Sequence, residues 1–169
     1  MTTATTDRVA ARPPVALVVG DLAVTFEWAG DRWRHSVTHR GRFVAESIEG
    51  PGPAGDASWP SSPPCQEVTT AAAPRPALVA VGSAGRSHFA ASLAADPARP
   101  DTVLVEVACR IREPAGWLGS TYRMPDGDTV CVTAEAAAAT PRTVCWAYRL
   151  GPAGVESAAP GAEPAPRRV

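Results

Sequence analysis

No lysine and no asparagine occur anywhere in the 169 residues, and glutamine appears once, at Gln66. Each absence excludes chemistry. A phosphate-binding P-loop needs a lysine on the β- and γ-phosphates, so a Walker-type hydrolase is ruled out. Schiff-base catalysis, with or without pyridoxal phosphate, needs a lysine amine. A protein kinase needs both a strand lysine and a catalytic-loop asparagine. Without asparagine there is no N-glycosylation acceptor and no Cys-His-Asn protease triad. A GC-rich coding bias that trades lysine for arginine accounts for the pattern, and the exclusions hold whatever its cause.

Other signals are equally sparse. The opening stretch MTTATTDRVAARPP has no apolar region of the kind a signal peptide carries. No run approaches the roughly 18–20 apolar residues of a membrane helix. The four cysteines, Cys65, Cys109, Cys131 and Cys145, form no CxxC pair and are too scattered for a zinc ribbon. The expectation is a soluble, cytoplasmic protein with reduced thiols. Net charge is −1. The first 50 residues balance six arginines against six acids, which argues against a nucleic-acid footprint.

What is present is one core's worth of apolar residues. Alanine supplies 33 of the residues behind the 45% hydrophobic share. Of the 43 larger apolar side chains, 39 fall between Val15 and Leu150. Residues 15–150 therefore read as a single domain, flanked by a loose arm at 1–14 and a disordered tail at 151–169. A Pro/Gly-rich loop at 50–76, with seven prolines, interrupts the domain. So long a connection is either functional or disordered, and Trp59 argues that part of it docks.

Alternation with period two dominates the rest. Leu22, Val24, Phe26 and Trp28 share one face of a strand. After the turn residues Gly30-Asp31, Trp33, His35, Val37 and His39 share a face of the next. Val103 to Ile111 is the clearest strand, and Val144, Trp146, Tyr148 and Leu150 mark another. Ser87 to Leu93 fits a strand or a short helix. About eight short strands joined by Gly, Pro and Asp turns predict an all-β fold with little helix: an antiparallel β-sandwich or barrel. The last two strands are expected to form a hairpin that sets Cys131 opposite Cys145.

Complete catalytic sets are missing. Gly82-Ser83-Ala84-Gly85 is not a nucleophile elbow. His35 and His39 are four apart, but strand geometry separates them by about 13 Å, too far for one metal ion. No metal and no cofactor are therefore expected. The segment Arg110–Met124 concentrates Arg112, Glu113, Trp117, Tyr122 and Arg123, a set suited to ligand contact on a loop, although Trp117 also suits a plug for the open end of the domain. The leading expectation is a non-enzymatic module that binds a small ligand or a protein partner through these residues. One alternative is a small hydrolase or lyase using His35 or His88 with Glu113. Another is an assembly subunit that pairs through open edge strands.

Overall fold

Period-two alternation in the sequence becomes a two-layer sandwich in the computed structural model, which describes residues 12–53, 55–72, 75–135 and 140–158. The strands are β1 (Val15–Val19), β2 (Leu22–Trp28), β3 (Trp33–His39), β4 (Arg42–Ser47), β5 (Glu67–Ala71) and β6 (Ala77–Ala84). They continue with β7 (Ser87–Ala95), β8 (Val103–Ile111), β9 (Gly119–Arg123), β10 (Thr129–Thr133), β11 (Arg142–Gly151) and β12 (Gly154–Ser157). The first sheet has the order β1-β2-β3-β4-β9-β10 and the second β12-β11-β8-β7-β6-β5, antiparallel throughout. Among the described residues there is no helix, so none is long and apolar enough to cross a membrane.

The described residues form twelve strands where about eight were expected, and β5, β9 and β12 lie in stretches that read as loop or tail. β5 ends the Pro-rich segment with only Val68 packed on the core, so it shows no apolar alternation. β12 adds to the second sheet beyond Gly151, and Val155 packs on the core. The remainder of the expected tail, 159–169, and most of the 1–14 arm lie outside the described residues. Ser87–Leu93 is a strand, not a helix, because both of its ladder partners, β6 and β8, are in place.

The expected Cys131–Cys145 hairpin does not form. Cys131 on β10 sits opposite Thr121 in the first sheet, and Cys145 on β11 sits opposite Ala108 in the second. The two strands belong to different layers, and residues 136–139 between them lie outside the described residues. Both thiols are free and exposed. Cys65 and Cys109 are buried, and burial pushes both thiols up to about 12. They act as small apolar side chains.

Each sheet turns one face inward. Leu22, Val24 and Phe26 of β2, Val103 to Ile111 of β8 and Val144 to Leu150 of β11 alternate buried and half-buried or exposed as read from the sequence. Polar contacts cross the core: Tyr122 Oη to Tyr148 Oη at 2.8 Å, and Trp146 Nε1–H to Ser120 Oγ at 3.0 Å. The Pro-rich segment is clamped against both layers. Trp33 N–H donates to the Cys65 carbonyl at 2.7 Å, and Gln66 N–H to the Val81 carbonyl at 2.9 Å. Trp59 is buried beside Gly116.

One ion pair closes the second sheet. Arg149 Nε meets Asp96 Oδ2 at 2.6 Å, and the Asp96 side chain is only 3% exposed. Its other oxygen accepts Ala98 N–H at 2.8 Å. Removing one partner strands the other without a counter-charge. Asp96→Ala is expected to cost about 2–3 kcal/mol, less than a fully buried pair because Arg149 can reach water. Urea denaturation measures it, and a loss below about 0.5 kcal/mol would make the pair an ordinary surface contact.

Candidate functional site

The seam between β3 and β4 is one place where the fold leaves buried polar atoms without partners among the described residues, His35 Nδ1 and Glu49 Oε2. A bulge at Val37/Thr38 precedes the last ladder pair, Ser36 opposite Glu46. Beyond it the strands take different partners. β4 turns to β9, with Ser47 opposite Tyr122 and Ile48 N–H donating to the Thr121 carbonyl at 2.8 Å. Trp33 at the other lip bridges to Cys65. Side chains span the resulting gap. His35 N–H donates to Ser47 Oγ at 3.1 Å, and Ser47 O–H donates to Glu49 Oε1 at 2.9 Å.

Over this seam lies a cavity of about 370 Å³. Thr25 and Glu27 of β2, Arg34 and Ser36 of β3, Glu46 of β4 and Arg123 of β9 wall it, and His35, Ser47, Ile48 and Glu49 complete the lining. Its charges are unevenly committed. Arg123 and Glu46 satisfy each other at 2.7 Å. Glu49 is different: its Oε2 is buried and has no hydrogen-bond partner among the described residues. Burial pushes the Glu49 carboxyl up to about 7, with the Ser47 hydrogen bond and then the Arg32 and Arg34 charges opposing. A carboxyl half-ionised at neutral pH, with one oxygen unsatisfied, is a standing demand for a donor.

His35 leads from the cavity into the core. Its Nε2 lies 2.7 Å from Tyr122 Oη, which continues to Tyr148 Oη. The ring stacks on Phe26 and meets Tyr122 edge-on. Burial lowers His35 to about 4 and raises both tyrosines, Tyr148 to about 12. All three are therefore neutral at pH 7. An imidazole of such low proton affinity, tied to a tyrosine, is a poor general base.

The residues singled out from sequence scatter. His88 is exposed on the outer face of the second sheet, opposite Arg110, while His35 faces the interior from the first. Glu113 follows β8 and does not line the cavity at His35. Arg112 is exposed, and half-buried Trp117 packs on the core over Gly119. Tyr122 is 1% exposed and faces the sandwich interior, not a rim. Of the five loop residues only Arg123 lines the polar cavity. Glu49 and Ser47 were missed because their burial arises from a strand exchange with β9, some 75 residues downstream. The one local signal is position: Glu49 immediately precedes the long Pro-rich connection.

A larger depression of about 800 Å³ lies against the second sheet, lined by small side chains such as Ala90, Ala108 and Ala147. It holds no comparable group of unsatisfied polar atoms among the described residues. Comparison of the chain with protein-family models, with curated proteins and with solved structures returns no match.

Proposed function

We propose that the chain is a non-enzymatic binding module whose cavity over the β3/β4 seam takes a small polar ligand that donates hydrogen bonds. The observation that supports this reading is Glu49: a carboxyl poised near neutrality whose second oxygen is buried and unpartnered. A ligand amine, guanidinium or hydroxyl would supply the missing donor, and a cation there would favour the ionised form. Glu27 adds a second acceptor and Arg34 a place for an anionic or acceptor group. The size is at the small end of known ligand sites. The chemistry then points to a compact amine, amino acid or polyol, not an extended apolar molecule.

The one hydroxyl bonded to Glu49 among the described residues, Ser47 Oγ, also accepts His35 N–H across the seam, so we read it as a structural tie and not as a nucleophile. His35 is neutral and engaged with Tyr122. A thermal-shift panel of amines, amino acids and sugars tests the reading, with Glu49→Gln and Arg34→Ala as controls. At least one class is expected to raise the melting midpoint of the parent by about 2 °C or more at millimolar concentration, and to lose most of that shift in Glu49→Gln. No shift across the panel, or equal shifts in both proteins, removes the proposal.

A further inference from the structure

At the far end of β3 from the cavity, three chain segments meet from both layers. Asp21 comes from the β1–β2 turn, His39 ends β3, and Asp101 lies in the β7–β8 connection. One ligand atom from each side chain lies within 4.8 Å of the other two. His39 Nε2 stands 3.8 Å from Asp101 Oδ2, too far for a hydrogen bond. That nitrogen is buried and has no hydrogen-bond partner among the described residues. A buried imidazole nitrogen facing two carboxylates at more than hydrogen-bond distance is an arrangement that a metal ion resolves.

The backbone holds these groups in place. Asp101 adopts a left-handed conformation, φ 47°, uncommon for a residue with a side chain. This brings its Oδ1 to Asp21 N–H at 2.9 Å. The opposing turn residue is Gly20, φ 58°, where a Cβ would collide with the Asp101 carboxylate. Asp21 Oδ2 accepts from Arg40 Nε at 2.8 Å, which orients that carboxylate as second partners orient metal ligands.

We infer that Asp21, His39 and Asp101 form a divalent-metal site, filled best by Zn²⁺, that staples the two sheets together. One imidazole and two carboxylates suit zinc better than magnesium, which prefers oxygen alone. Zinc bonds of about 2.0–2.1 Å put tetrahedral ligands roughly 3.3 Å apart, so the side chains close in by under 2 Å. Partial exposure of His39 and Asp101, 21% and 28%, leaves a fourth position for water. The four-residue spacing that keeps His35 and His39 from sharing an ion does not matter here, because the other ligands come from two turns.

The test is calorimetric titration of tag-free, chelator-treated full chain with Zn²⁺, followed by Co²⁺ absorption. The expected result is one ion per chain at micromolar affinity, with the melting midpoint raised by roughly 5–10 °C at hundredfold excess over Kd. Co²⁺ is expected to give visible bands without the strong near-ultraviolet absorption of thiolate ligation. Asp101→Asn keeps the acceptor for Asp21 N–H and tolerates the left-handed backbone. That variant and His39→Gln are expected to stay folded by circular dichroism and to bind at least tenfold more weakly. Cys131→Ser/Cys145→Ser is expected to bind as the parent does. No binding by the parent, unchanged affinity in both ligand variants, or loss of binding in the serine variant would each overturn the site.

Discussion

Gly82→Ala is expected to cost about 3 kcal/mol or more and to lower the melting midpoint by roughly 6–12 °C. In most strands this exchange is mild or favourable. Here a Cβ would collide with the Pro64 backbone carbonyl, and the Pro63-Pro64 pair leaves that carbonyl little room to retreat. The clamped segment must lift. With it go the bonds from Trp33 N–H to Cys65 and from Gln66 N–H to Val81, and those joining Ser61 and Ser62 to Thr121. The same segment holds Gly50 through Ser61 N–H, so the variant is also expected to let Glu49 reach water and to abolish ligand-induced shifts. Ser83→Ala, one residue along, is the control. A loss under 1 kcal/mol in Gly82→Ala would mean the segment is not docked as described.

The second large effect is a pair of opposed pH dependences. Glu49 rises from an ordinary 4.5 to about 7 on folding, so the folded state holds that proton more tightly. Its contribution to stability is complete below about pH 4.5 and is lost as pH rises through 7. His35 falls from 6.5 to about 4, so the unfolded state takes up its proton first. Its contribution is complete above about pH 6.5 and is lost as pH falls through 4. Between these limits the two slopes oppose each other. Glu49→Gln is expected to unmask the histidine, losing about 1–3 kcal/mol more than the parent between pH 6.5 and 4.5. His35→Gln is expected to unmask the carboxyl, gaining stability relative to the parent over the same descent. Chemical denaturation at several pH values reads both, and parallel curves for the three proteins would show that neither group is perturbed.

The two-layer fold was legible because burial on one face writes itself into every second residue. Leu22–Trp28, Val103–Ile111 and Val144–Leu150 show this with few exceptions, and the core face of β3 was read correctly as Trp33, His35, Val37 and His39. Strands without that signature were not legible. β5 offers the core only Val68, and β9 is buried at Gly119, Ser120, Thr121 and Tyr122 in succession. Pairing was less legible still. The register of Cys131 and Cys145 followed from an assumed hairpin, and nothing between residues 134 and 141 announces a crossing between layers.

The candidate site lay beyond sequence reading for a related reason. A glutamate at the end of a strand is ordinarily solvated, and only the exchange of β4 from β3 to β9 encloses Glu49. His39 was weighed against its sequence neighbour His35, whereas its partners in space, Asp21 and Asp101, are 18 and 62 residues away by number. Turn geometry, not periodicity, brings them together.

The most direct measurement is the titration of the Glu49 side-chain carbon by NMR in the ligand-free chain. The cavity reading predicts a midpoint near pH 7, moving down when an amine ligand is added. A midpoint near 4.5 would show a hydrated carboxyl that demands nothing, and the seam would then be a surface crevice with no ligand to hold.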